Sequence, residues 1–162
     1  MLIRKLWLIS FLLAPTAVFA ASGCENLSGT PITDGVLWPQ VYTAMTNESN
    51  CTQSCHLGSF PAGGLDLSDA SFSVYFLVTQ ASLQNPLQLL VDPGNPRESL
   101  LLQKLNCDAP DVGSRMPPGG RAPLSLQKLV YDWIEQGAYG EGVEDPISRD
   151  FIYKNGLELL RQ

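Results

Sequence analysis

The sequence predicts an all-α fold of about four helices. In four segments, apolar side chains recur at intervals of three and four residues, the pattern of a helix that buries one face. Between these segments the chain is rich in glycine and proline, which end helices and form turns. These two observations favour a small helical domain over a sheet.

Two helices are predicted in the first half of the chain. The first has Pro39 in its first turn, a favoured position, and is broken by residues 47–50. Its apolar face consists of Trp38, Val41, Tyr42 and Met45. The second covers residues 72–83, with Ser68 or Asp69 as its N-cap. Its β-branched residues would also suit a strand, but it is longer than a typical strand.

Two further helices are predicted in the second half. One begins with Asn95 as cap, Pro96 in the first helical position and Glu98 three residues after the cap, and runs through the following leucines. The other begins with Ser125 as cap and ends near Gly137. Its apolar face consists of Leu126, Leu129, Val130, Trp133 and Ile134, of which the last two are predicted to pack in the core.

The remaining segments show no helical periodicity. Residues 87–91 are predicted to be extended or irregular, and residues 92–94 to form a turn. Residues 106–123 form a long loop, ordered or disordered, and connections of this length in a compact domain are usually functional. Residues 140–162 are predicted to be an acidic tail, with apolar side chains that could dock on the domain.

The first twenty residues have the pattern of a secretory signal peptide. Two basic residues precede an apolar run too short to span a bilayer, and small residues before Ala21 suit a cleavage site. We therefore expect an exported protein, located in the periplasm of a Gram-negative bacterium, with no membrane span. A retained anchor is one alternative. A lipidated Cys24 is another, although a lipoprotein signal would have leucine where Ala21 stands.

Charge restricts the partners of the mature chain. Removing residues 1–20 takes Arg4 and Lys5 with it, which changes the formal charge from −6 to about −8. This balance argues against nucleic acid or an anionic membrane as partner and favours a partner protein with a basic docking patch. A merely solvated acidic surface is the alternative explanation. The 142 residues that remain suffice for one domain with a single core.

The strongest functional signal is the segment Cys51-Thr52-Gln53-Ser54-Cys55-His56. Two thiols can form thioethers with the vinyl groups of a porphyrin, and a histidine directly after them can bind its iron, which is typical of c-type haem attachment. The usual spacing has two residues between the cysteines, so three require the loop to bulge. The alternative is a thiol redox or copper site on Cys51 and Cys55, which normally requires a βαβ scaffold.

A second iron ligand would have to be a methionine, because His56 is the only histidine in the chain. Met1 leaves with the signal peptide and Met45 lies on the attachment side, which leaves Met116 in a loop of prolines and glycines. Met116 could instead fill a gap in the core. Arg115 and Arg121 flank this loop, and each could pair with a haem propionate or be an ordinary solvated charge.

The other two cysteines are the natural disulfide pair if Cys51 and Cys55 hold a haem. In an oxidising compartment Cys24 and Cys107 would then join the start of the mature chain to its middle.

Together these motifs resemble the planctomycete-type cytochrome c domain. The resemblance covers residues 36–139 and is carried by Cys-x-x-x-Cys-His, Gly63-Gly64-Leu65-Asp66-Leu67, the Pro-Gly-x-Pro-x-x-Ser-Leu-Leu pattern of residues 93–101, Arg115-Met116-Pro117-Pro118-Gly119-Gly120 and Trp133-Ile134-Glu135-Gln136-Gly137-Ala138. It implies a class I cytochrome c-like fold around one haem c, covalently attached to Cys51 and Cys55, with His56 as proximal and Met116 as distal ligand.

The role implied by this resemblance is one-electron transfer between redox partner proteins, without enzymatic activity. Residues 21–35 would be a lead into the haem domain. A haem-based sensor or peroxidase-like protein is a further alternative. That chemistry would need a second histidine or another distal acid-base residue, and the sequence offers no evident one.

Overall fold

The computed structural model describes residues 21–51 and 55–141. The predicted signal peptide, the spacer residues 52–54 and the tail from residue 142 onward lie outside this part. It contains four α-helices: α1 (Trp38–Ser49), α2 (Ala70–Thr79), α3 (Leu100–Asn106) and α4 (Leu124–Glu135). Two short 3₁₀ turns lie at Ala62–Gly64 and Pro96–Glu98, and β pairing in the described residues is limited to isolated bridges. The all-α prediction is therefore confirmed. No helix in this part is long and apolar enough to cross a membrane.

Helices α1 and α4 pack together through two tryptophans. The rings of Trp38 and Trp133 lie 5.1 Å apart at an angle of 41°, and both side chains are fully buried. A buried indole needs a partner for its N–H group. Trp38 Nε1 donates to the carbonyl of Ala70 at 2.6 Å, and Trp133 Nε1 donates to that of Tyr139 at 2.8 Å. The pair therefore joins α1 to the start of α2, and α4 to the chain that follows it.

The first two helices agree with the sequence prediction, with shifted ends. Helix α1 continues to Ser49 and ends at Asn50, whose backbone is left-handed at φ 51°. Helix α2 is capped by Asp69, whose carboxylate accepts from the backbone N–H of Phe72 at 2.8 Å. It ends at Thr79 instead of residue 83, because the chain turns there and Ala81 pairs with Leu89 in an antiparallel bridge.

Two predicted helix starts are wrong. Asn95 precedes the 3₁₀ turn Pro96–Glu98 and not an α-helix, and its side chain makes no capping hydrogen bond. Helix α3 begins only at Leu100, and the hydroxyl of Ser99 before it donates to the carbonyl of Asn95 at 3.0 Å. Pro123, not Ser125, precedes α4. Ser125 lies inside α4 and donates to the Glu48 carboxylate at 2.7 Å, which links α4 to the end of α1.

The predicted disulfide is present: Cys24 is bonded to Cys107, 83 positions later. Ser22 and Ala109 exchange backbone hydrogen bonds of 2.9 and 3.1 Å beside it. A disulfide fits an oxidising, exported compartment, and it uses the sulfur that lipidation of Cys24 would require. The lead is thereby attached to the loop between α3 and α4.

Removing this disulfide should lower stability substantially. For the double substitution Cys24→Ala and Cys107→Ala, the chain-entropy model gives a loss of about 4 to 5 kcal/mol, because the unfolded chain regains the freedom of a long loop. Urea unfolding of the wild type and of the double variant would measure it. An unchanged midpoint, or an intact mass showing both thiols reduced in the native protein, would contradict the prediction.

Candidate haem-binding site

A cavity of about 610 Å³ lies between α2, α3 and the loops that follow α1 and α3. Its volume is within the range of roughly 300–1,000 Å³ that is usual for ligand and cofactor sites. Its wall is mostly apolar and includes Leu67, Leu77, Leu101 and Leu105, all buried in the core. This lining suits a large, flat, apolar group such as a porphyrin better than a small polar substrate.

Three of the sequence-predicted site residues meet in this cavity. Cys51, His56 and Met116 all line it, although Met116 lies far along the chain from the other two. Cys51 follows directly after α1, His56 begins the next loop, and Met116 lies in the long loop between α3 and α4. The fold therefore brings these three side chains, a thiol, the only imidazole of the chain and a thioether, around a single space.

The imidazole of His56 has a defined hydrogen-bond partner. Its Nδ1 lies 3.1 Å from the carbonyl oxygen of Leu65. A carbonyl can only accept, so Nδ1 carries a proton, and in the neutral ring Nε2 keeps its lone pair. A neutral imidazole whose second nitrogen is fixed in this way is the usual form of a metal-binding histidine. The half-buried His56 is thus prepared to bind a metal through Nε2.

The loop after His56 is held by backbone contacts. Leu67 N donates to the carbonyl of His56 at 2.7 Å, and Ala62 N donates to that of Cys55 at 2.8 Å. Gly64 lines the cavity with φ at +73°, and a Cβ there would lie 2.6 Å from Leu83 Cδ1. Glycine fits this position without strain because the backbone is left-handed, whereas the neighbouring Leu83 side chain is exposed and can move.

The two cysteines of the motif differ in environment. Cys51 is half-buried against the core, and its backbone N–H donates to the carbonyl of Met45 at 3.2 Å. Burial raises the pKa of the Cys51 thiol, a backbone hydrogen bond acts against this rise, and the charge of Cys55 adds to it. Reactive cysteines of thiol oxidoreductases have lowered pKa values instead. Cys55 is exposed, and the three spacer residues lie outside the described part.

Two methionines reach the cavity. Met116 is partly buried against the core, and its backbone N–H donates to the carbonyl of Lys104 at 2.7 Å. Met45 also lines the cavity, from the last turns of α1, and is 2% exposed. Both are placed for contact with a bound group, so the choice of Met116 as iron ligand rests on the sequence argument.

The two predicted propionate partners lie elsewhere, beside the disulfide. Arg115 donates from Nε to the carbonyl of Cys107 at 3.0 Å and pairs with Asp108. Arg121 pairs with Glu25 and, at 2.8 Å, with Asp108. Neither arginine lines the cavity, and each already has carboxylate partners. A role for them at the propionates stays a sequence prediction, without support from their placement.

Sequence reasoning missed the residues that position the predicted ligands. The Leu65 carbonyl is a backbone group, and no residue type indicates it. Lys104 is the one charged residue of the leucine-rich helix α3, and the sequence does not show which side of the helix it faces. Its carbonyl and its ammonium both contact the Met116 loop.

Searches for metal clusters and for relatives add no assignment. No group of three or more histidine, cysteine, aspartate or glutamate side chains in residues 21–51 and 55–141 is arranged to hold a metal ion. The pair His56 and Met116 would not form such a group, because only His56 belongs to these residue types. Comparison with protein-family models, curated proteins and solved structures finds no match for the chain.

Proposed function

We propose that this chain is an exported c-type cytochrome that carries single electrons between partner proteins and catalyses no reaction of its own. One observation supports this most: Cys51, His56 and Met116 line a single apolar cavity of cofactor size. Haem c would be attached to Cys51 and Cys55, with His56 and Met116 as axial ligands. When bound, it supplies an iron that alternates between the ferrous and ferric states.

The chain's own contribution is to hold the ligands in place. The Leu65 carbonyl fixes the tautomer of His56, and the Lys104 carbonyl fixes the backbone of Met116. Both anchors are backbone atoms of ordered segments, so neither ligand has to be reorganised when the charge of the centre changes. This arrangement suits electron transfer, in which both ligands stay bound in both oxidation states.

The cavity wall also sets the polarity around the site. Buried leucines such as Leu77 and Leu105 keep water away, and a low-dielectric surrounding favours the less charged ferrous state. Leu83 lines the cavity and is 77% exposed, so the cavity reaches the protein surface there. An electron could therefore enter or leave without a channel through the core.

The partner would be another redox protein. The acidic balance of the mature chain favours one with a basic docking patch, because complementary charges raise the encounter rate. The predicted signal peptide and the disulfide support an exchange outside the cytoplasm, in the periplasm.

A copper site is the second candidate, and one observation favours it. Met45, Cys51, His56 and Met116 all line the cavity, and sulfur and imidazole donors suit copper. A single ion would leave most of a 610 Å³ apolar cavity unfilled, which makes it the poorer fit. The raised pKa of Cys51 also disfavours the thiolate that disulfide exchange would use.

A potentiometric titration followed by absorbance tests the proposed role. We expect one reversible transition that fits a single electron, with the spectrum of a six-coordinate His/Met haem at both ends. Protein that carries stoichiometric copper and no haem would establish the second candidate instead. A two-electron transition that disappears when Cys51 is alkylated would indicate a dithiol couple.

A further inference from the structure

Lys104 occupies an unusual position in the cavity wall. Among the described residues that line the cavity, it is the only lysine, arginine, aspartate or glutamate, and the spacer 52–54 adds no charge to them. The other lining residues are mainly leucines, small residues and uncharged polar ones. A single positive charge in such a wall is conspicuous, since charges are seldom placed in an apolar site without an opposite charge.

The ammonium group of Lys104 lies against the Met116 loop. Its Nζ donates to the carbonyl of Val112 at 2.7 Å and to that of Ser114 at 3.1 Å. A Cβ on Gly113, between these two residues, would lie 3.0 Å from Nζ. Val112, Gly113 and Ser114 all line the cavity, so the Nζ atom that contacts them lies at the cavity wall. An ammonium has three donors, and these two carbonyls use two of them.

No carboxylate within the described part of the chain pairs with this ammonium. The ion pairs found in residues 21–51 and 55–141 involve Arg115, Arg121 and Lys128. Lys104 is half-buried, and burying a charge without an opposite charge beside it costs free energy. A negatively charged group in the cavity would offset that cost.

We propose that Lys104, and not Arg115 or Arg121, binds a haem propionate, while its other two donors hold the Met116 loop against α3. This inference rests on the proposed function, because it needs a carboxylate-bearing porphyrin in the cavity. The third N–H of the ammonium meets the propionate in a charge-assisted hydrogen bond. Lys104 thereby ties one edge of the cofactor to the loop that carries its distal ligand.

Reduction potentials of charge-removing variants test this assignment. In Lys104→Gln the potential should fall, because losing a positive charge near the cofactor favours the ferric state. The iron–sulfur charge-transfer band should persist, which separates loss of charge from loss of Met116. Arg97→Gln is the matched control: it removes one exposed positive charge whose partners are Asn26 and Ser28, and the potential should not move.

Three results from these variants would overturn the inference. One is an unchanged potential in Lys104→Gln with haem and Met116 still bound, which leaves the cytochrome function intact. Another is a lower reduction potential in Arg115→Gln or Arg121→Gln together with an unchanged potential in Lys104→Gln. The third is haem-free protein, which removes the proposed function as well.

If Lys104→Gln does not fold, a crystal structure of the wild-type haem protein decides: Nζ should lie within hydrogen-bond distance of a propionate oxygen, and a propionate held by other residues contradicts the assignment.

Discussion

Protein in which Cys51 and Cys55 are both replaced by alanine is expected to retain no haem after denaturation. In the proposed attachment the thioether bonds form on these two sulfurs, and once the polypeptide unfolds no other covalent bond would hold the cofactor to it. The effect should be complete, because the proposed ligation by His56 and Met116 would not survive unfolding. Denaturing electrophoresis with haem staining, alongside the absorbance of the precipitated protein, measures it.

The chain supplies a matched control in its other cysteine pair. Cys24→Ala with Cys107→Ala also removes two sulfurs, but from a disulfide outside the cavity, so the haem should stay attached even though the fold is weaker. Single replacements of Cys51 or Cys55 should each leave one bond and retain haem. Haem retention by the Cys51/Cys55 double variant, or its loss in the Cys24/Cys107 variant, would show that the attachment site is misassigned.

Replacing Met116 with alanine should have the second-largest effect. We expect the weak iron–sulfur charge-transfer band to disappear and the reduction potential to fall. The reason is that a thioether ligand favours ferrous iron more than the water or harder ligand that would replace it. Absorbance of the ferric protein and a potentiometric titration measure both changes on the same sample.

Met45→Leu is the appropriate control, because Met45 lines the same cavity. Leucine is close to methionine in volume, so this change should cost less than about 1.5 kcal/mol and leave the band and the potential near those of the wild type. If the band is lost in Met45→Leu and kept in Met116→Ala, then Met45 is the ligand and the sequence argument that excluded it is wrong.

The helices were largely predictable, and their ends less so. The apolar stripes of α1 and α4 indicated the buried faces correctly, since Trp38, Val130 and Trp133 are buried. The ends depend on contacts with distant residues. Ser125 was expected to cap α4 but contacts Glu48, 77 positions away, and α2 stops where residues after it pair with each other. Local patterns do not contain such contacts.

The candidate site was predictable where its chemistry depends on residue type. Cysteine, histidine and methionine are scarce in this chain, and Cys51, His56 and Met116 do line one cavity. The groups that hold these side chains in position were not predictable. Arg115 and Met116 are adjacent in sequence, but their side chains point to different places. Arg115 binds the carbonyl of Cys107 beside the disulfide, whereas Met116 lines the cavity. Only the path of the loop shows that Lys104 lies close by.

The central claim is that haem is covalently bound to this chain. The direct measurement is to express the protein with the haem-attachment machinery, denature it in alkaline pyridine and record the reduced spectrum. We expect haem that stays with the polypeptide, in a ratio of one to one, and a haemochrome spectrum characteristic of c-type attachment through two thioethers. Polypeptide without haem, or a haem that extraction into acidified organic solvent removes, would contradict it.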